Sequence, residues 1–531
     1  MKLIRKITAL TLIATLLLLS VFCTNASTPS ILDCPMGEIE DYPLGDLGIK
    51  DLGYAESANC FSDYNYHIVD SEEGYTAADQ SFVFQEQTSY YMKTPTTYAA
   101  FYKSADHTFH VWTIDNDTHN LKNEVVIHLP LKFFGGMHVG RDSHYYLAVG
   151  QLNLEKSADK PVIKVLRFNA DWEQTGEGTI YGDDKAANYA PNIHGIVKPF
   201  ASGCSMTETQ DYLVLHTSRV MFSDHQSSLT LFFKKGDLST RIMPRVPYTS
   251  HSFNQLVTWD YAASNVNQVA FVDKGDGDPR QISLNVLNGS ELKTYSVMDI
   301  LGELGDNFTG VNICGFRATG ETYLIVGSAM PHKLEVEGET GFERNYQRNV
   351  FVAAVNKYNM KTEVTWLTHI KPSNWNERVS IPRASDLNGT MAISYNVYSW
   401  VGGKWKSRLV ITAVDSVGSI VNSRTYPDEG MAAFSSPGTL GESLTWLDTH
   451  TDNSGNTVTT LRQVCSRVRS PLMYDFDLDG KVTILDATLL QRYLAGLEDL
   501  SNTQLWCSSS GSPGIRDVTQ IQRIVSEEIN N

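Results

Sequence analysis

The chain is 531 residues long, with 43 basic against 60 acidic side chains and a formal net charge of −17. That balance argues against nucleic acid and against an anionic membrane as partner, and suits a solvated surface outside the cell. Seven cysteines are too sparse for a disulfide scaffold, and no CxxC or Cys/His spacing suggests zinc.

The N-terminus, MKLIRKITALTLIATLLLLSVFCTNAS, reads as an export signal. Lys2, Arg5 and Lys6 form a positive start, Ile7 to Phe22 is almost unbroken apolar, and Thr24 and Ala26 supply short residues before a cut near Ser27. The apolar stretch is shorter than the roughly 20 residues of a spanning helix. The expectation is therefore a signal peptide over 1–26, a secreted protein and no membrane span. Residues 27–84 are turn-rich and polar, expected either to wrap the outside of the main body or to donate a closing strand to it. Cys34 and Cys60 in this region are the one pair to test for a bridge, and the pairing of the cysteines is left open.

Between residues 85 and 465 helix signals are scarce. Short runs rich in Tyr, Thr, Val and Phe alternate with Gly, Asn and Asp clusters, which is strand-and-turn composition. Runs such as HYYLAVGQ, DYLVLHTS, QLVTWDYA and TYLIVGSAM recur, and most are followed by a second run ending in a polar turn, such as SLTLFFKKGDLS or NVFVAAVNKYNM. A recurring unit too small to bury its own faces points to radial stacking. The reading is a mainly β protein with a propeller-like body of about seven blades, followed by a small all-α domain.

The body carries no G-x-S-x-G, H-E-x-x-H or Walker loop. Polysaccharide cleavage needs only two carboxylates brought together from different blades, for which Asp142, Asp211, Asp260, Asp386 and Asp448 stand near strand ends. Each is equally a common turn residue. A richer neighbourhood joins His225, His251, Asp273, Asp276 and Asp278 as a candidate ligand rim. The stretch FVDKGDGDPRQ reads either as a calcium loop or as a polar hairpin turn. At YSWVGGKWKS, Trp400 and Trp405 flank a glycine pair at a hairpin tip, where sugar contact and strand-end packing are both open. The body stretches are similar to recurring segments in uncharacterised exported proteins of gut clostridia, a likeness that implies no function.

The tail, YDFDLDGKVTILDATLLQRYLAG, carries the most specific pattern. Asp475, Asp477 and Asp479 occupy loop positions one, three and five, and Gly480 stands at the sharp turn. Lys481 comes next with a main-chain carbonyl, then Thr483 with a hydroxyl and Asp486 with a carboxylate at twelve. An all-oxygen set of this spacing suits calcium. The loop departs from an ordinary EF-hand in lacking a preceding helix and in having Asp rather than Glu at twelve. A helix is predicted after it, and 31 residues on DATLLQRYLAG is echoed by DVTQIQRIVSE from Asp517.

This duplicated half-hand, over 472–531, resembles a type I dockerin, a module that plugs exported bacterial proteins into cohesins on a scaffold protein. The resemblance implies a cellulosome-type component, with Ile484, Leu485, Gln491 and Arg492 facing the cohesin and Ile515, Arg516, Gln522 and Arg523 as counterparts in the second repeat. The second loop departs from the pattern: Trp506, Ser508 and Ser510 replace the three acids, so weak or no calcium binding is expected there, and binding in two orientations is put in question. The function implied is a secreted, calcium-dependent docking protein presenting a propeller for polysaccharide binding or breakdown. The alternatives are a glycoside hydrolase or polysaccharide lyase with its site in the channel, and a structural or protein-binding subunit.

Overall fold

The computed structural model describes residues 36–45, 88–93, 96–103, 107–115, 120–188, 193–305, 309–330, 348–371, 374–387, 390–431, 437–440, 443–451, 454–466, 474, 476, 482–497, 500 and 513–529. The signal sequence, Cys34, Cys60, Asp475, Asp477, Asp479, Lys481, Trp506, Ser508 and Ser510 lie outside them. The chain divides into two units, one over Met36–Ser466 and one containing Arg467–Asn531.

The first unit is a β-propeller. Its described strands form seven antiparallel sheets, six of them built in chain order from neighbouring strands and the seventh completed by Met36–Gly45. Blade 1 starts at Thr88–Lys93, blade 2 at Phe133–Val139, blade 3 at Lys198–Glu208, blade 4 at Ser252–Trp259 and blade 5 at Val311–Ala318. Blade 6 starts with two pieces, Glu377–Val379 and Arg383–Leu387, and blade 7 with Gly438–Leu440. First strands touch around a ring, blade 2 to 3, 3 to 4, 4 to 5, 5 to 6, 6 to 7 and 7 back to 1.

Burial follows radial position. Second strands such as Tyr145–Gly150, Val269–Gly275 and Thr322–Ala329 are buried at every residue. They lie between two blades, which is why they read as continuous apolar runs. Fourth strands such as Leu121–His128 and Glu291–Asp299 are mostly exposed or half-buried and carry the polar rim. The apolar clusters sit between blades, where a single four-stranded sheet cannot bury itself. Phe109, Phe134 and Leu147 join blades 1 and 2. Tyr146, Leu215 and Phe233 join 2 and 3, Val214, Phe232 and Phe271 join 3 and 4, Leu284, Ile325 and Phe351 join 4 and 5, and Val326, Ile393 and Val397 join 5 and 6. The last cluster draws Trp112 and Ile114 from blade 1, Leu409 from blade 6 and Trp446 and Leu461 from blade 7.

Closure comes from the N-terminal region. Met36–Gly45 is the fourth strand of blade 7, paired antiparallel with Thr457–Ser466. The turn-rich segment of 27–84 therefore contributes a strand to the body, whose sheets extend past the expected 85–465. Ile39 and Tyr42 pack against the last apolar cluster, and Arg462 is held by Asp41 at 2.8 Å and Glu429 at 2.8 Å.

The described residues of the second unit include two helices, Ile484–Leu494 and Ile515–Ile529, which pack together. Phe476, Ala487, Leu490, Val518 and Ile521 form its core. Ala487 and Leu490 correspond to Val518 and Ile521 across the 31-residue repeat, so the sequence echo is an echo in packing. Among the described residues no helix is long and apolar enough to cross a membrane.

Candidate functional site

The predicted body residues separate onto two faces. Connections between first and second strands lie on one face, and those between second and third strands, or from blade to blade, lie on the other. His225 stands in the turn before Gln226–Lys234, His251 immediately before Ser252–Trp259, and Asp276 and Asp278 in the turn after Val269–Gly275. These gather on one face between blades 3 and 4. The His225 and His251 rings stack with centroids 6.1 Å apart, and His251 Nδ1 stands 2.9 Å from Asp276 Oδ1. Asp276 is fully buried, and neither of its oxygens has a well-directed hydrogen bond. Burial pushes its carboxyl above the usual range, against the opposing pull of His251 and Arg280.

The alternating acids do not converge into a calcium loop. Asp273 is buried within a strand and accepts hydrogen bonds from Thr249 Oγ1 at 2.9 Å and Ser252 Oγ at 3.1 Å. Asp276 turns toward His251, and Asp278 is exposed. Among the described residues no three His, Cys, Asp or Glu side chains form a group able to hold a metal.

Each channel carboxylate proposed from sequence is already engaged, at a separate place. Asp142 accepts the Tyr146 hydroxyl at 2.6 Å, Asp211 accepts Asn267 Nδ2 at 2.7 Å, and Asp386 meets Arg317 at 2.9 Å. Asp448 lies 3.5 Å from Arg462. Asp260 is the most enclosed: it accepts from Lys357 Nζ at 2.6 Å, the Tyr323 hydroxyl at 2.7 Å and Gln268 Nε2 at 2.9 Å.

Asp260 forms the floor of a cavity of about 380 Å³ between blades 4 and 5, on the face opposite His225 and His251. Its walls include Tyr295, Lys293, Glu291, Tyr358 and Met360. Composition alone gave no sign of this cavity, because its residues span nearly 100 positions of chain. At the blade 6 tip Trp400 and Trp405 pair across the hairpin with centroids 5.4 Å apart. Gly402 and Gly403 make the turn with φ of +61° and +81°, a region glycine occupies without strain. The Arg378 guanidinium lies 3.8 Å over the Trp405 ring, so Trp400 is the more open of the two.

In the helical unit, Asp486 and Asp517 are both buried. Asp486 Oδ2 accepts the Thr483 N–H at 2.7 Å, and Asp517 Oδ2 accepts the Gly514 N–H at 2.9 Å. Each acid caps its own helix. Thr483 completes the box by accepting the Leu485 N–H at 3.1 Å. Ile484, Leu485, Gln491 and Arg492 are exposed, as are Ile515, Arg516, Gln522 and Arg523.

No protein family and no curated protein matches the chain. Solved structures similar to it include hydrazine synthase of Kuenenia stuttgartiensis, at 10% identity over 69% of this chain and 92% of that one, with a TM-score of 0.36. A polysaccharide lyase is 9% identical over 81% and 99%, TM-score 0.37. The β-propeller domain of the trilobed protease of Pyrococcus furiosus is 10% identical over 66% and 98%, TM-score 0.29. At such scores these likenesses say nothing about chemistry.

Proposed function

We propose that this is an exported component of a scaffolded, cellulosome-type assembly, docked through its helical unit to a cohesin and presenting the propeller as a polysaccharide-binding module. The observation that carries the docking half is the repeat itself. Two helices related by 31 residues place equivalent apolar residues in one core and a buried capping acid at each N-terminus, while the Gln-Arg pairs stay outside. Such a duplicated exposed pair supports a partner-facing role.

Calcium would be held by Asp475, Asp477, Asp479, the Lys481 carbonyl, Thr483 and Asp486. The donor set is entirely oxygen, as a hard cation requires, and the buried Asp486 at the helix start fits its place in it. When bound, calcium supplies the charge that holds three acids together ahead of the first helix. Asp517 caps the second helix although its loop has lost the acids, so this repeat keeps its fold through hydrogen bonding.

Binding is preferred to cleavage for the body because all five channel carboxylates are engaged in separate structural contacts. The test uses the full-length protein on an immobilised type I cohesin, with and without chelator, and with Asp475→Ala. Calcium-dependent capture abolished by Asp475→Ala supports the docking reading; capture that ignores both chelator and mutation sinks it.

A further inference from the structure

We propose that the cavity between blades 4 and 5 binds one neutral pyranose ring of a polysaccharide, with Tyr358 stacking on its face. The proposal rests on the reading of the body as a glycan-binding module and names the site and sugar class that reading leaves open.

Tyr358 is the first reason. It is 83% exposed, the most exposed large hydrophobic residue described, and it lines the mouth of the cavity. The turn carrying it is fixed from within. Asn356 Oδ1 accepts the N–H groups of Tyr358 and Asn359 at 3.0 and 3.2 Å, and Asn359 Oδ1 accepts that of Lys361 at 2.9 Å. The Lys357 N–H bonds the Glu321 carbonyl at 2.9 Å. An aromatic left in water on a fixed turn adds little to folding and stands ready for a flat partner, and the fixed turn lowers the entropic cost of binding one.

The cavity supplies the rest. Its volume of about 380 Å³ lies at the small end of ligand sites, about 300–1,000 Å³, which suits one ring rather than an extended chain. Its charges cancel in pairs: Asp260 with Lys357 at 2.6 Å, and Lys293 with Glu291 at 3.1 Å. Among the described lining residues no cation is left over for a phosphate or carboxylate. Tyr295 and Met360 give the cavity an apolar wall, while the hydroxyls of Tyr295 and Ser264 have no hydrogen-bond partner among the described residues. An apolar wall, free hydroxyls and no net charge fit a ring that is apolar on its faces and hydroxylated at its edge.

The experiment titrates the full-length protein with cello-, xylo- and manno-oligosaccharides, and with oligogalacturonate as charged comparator, by calorimetry. Tyr358→Ala and Trp400→Ala are compared with wild type. The expected result is binding of a neutral oligosaccharide, weakened about ten-fold or more by Tyr358→Ala and little changed by Trp400→Ala. Neutral-glycan binding untouched by Tyr358→Ala would overturn this site while leaving the glycan-binding reading intact. Binding of oligogalacturonate alone would overturn the neutral class. No binding to any probe would remove both.

Discussion

Replacing Asp260 by alanine should weaken the propeller by about 3–5 kcal/mol, because it strands a buried cation. The Asp260 and Lys357 side chains are 2% and 13% exposed, and their charged atoms lie 2.6 Å apart. At an effective dielectric of about 20, two charges at that distance attract by roughly 6 kcal/mol, most of it offset by the cost of taking both from water. What remains after Asp260→Ala is the Lys357 ammonium with the Thr319 carbonyl as its remaining acceptor and the Tyr323 ring 4.8 Å away. The Tyr323 hydroxyl and Gln268 amide lose an acceptor as well, at about 1 kcal/mol each. Equilibrium unfolding in urea, followed by tryptophan fluorescence and far-UV circular dichroism, would read the loss. Lys357→Met in the Asp260→Ala background should restore at least half of it, since the uncompensated charge is then gone. A single mutant within about 1 kcal/mol of wild type, or a double mutant whose loss is the sum of the two singles, would refute the argument.

Asp276→Asn should stabilise the protein at neutral pH: the folded-state pKa is raised above the unfolded one, so the wild-type group costs stability once ionised. The advantage of the variant should fade as the pH falls through the raised folded pKa toward the unfolded value; a thermal midpoint unchanged or lowered at pH 7 would contradict this. Burial pushes Glu208 upward, but the nearby His138 imidazole, 3.9 Å away, and hydrogen bonds from Lys235 Nζ and the Arg141 N–H outweigh it and hold the carboxyl at about 2. Glu208→Gln should therefore be destabilising at pH 7, with the difference from wild type shrinking as pH falls through the unfolded carboxyl range toward 2. Calcium chelation should melt the helical signal while leaving the β signal largely in place. Asp517→Ala should cost that unit about 0.5–2 kcal/mol in the presence of calcium, which paired thermal melts would show.

The sequence carried the periodicity of this fold. Continuous apolar runs such as YYLAVG and TYLIVGSA marked strands buried on both sides, and their recurrence with polar hairpin partners pointed to radial blades. The paired helices of the tail were legible because their pattern is local: DATLLQRYLAG from Asp486 is echoed 31 residues on by DVTQIQRIVSE, and each stretch forms a helix. The rim around His225 and His251 was legible only as two polar neighbourhoods. Its third stretch is divided: Asp276 meets His251, Asp278 faces solvent and Asp273 is bonded within a strand to Thr249 and Ser252, which a D-G-D spacing does not reveal.

Tertiary structure alone decided what lies between blades. Asp260 meets Tyr323 and Lys357 from 63 and 97 residues away, and Asp41 meets Arg462 across 421 residues. No local spacing encodes such partners, because each blade is placed by apolar packing on its neighbours and not by its own sequence. The outer strand of blade 7 is the clearest instance. Met36–Gly45 looks like a polar turn region until Thr457–Ser466 offers it an edge. Local sequence fixes which residues can form strands and caps; which strand completes which sheet, and which side chains then share a cavity, is settled when the ring closes and every blade must bury both faces.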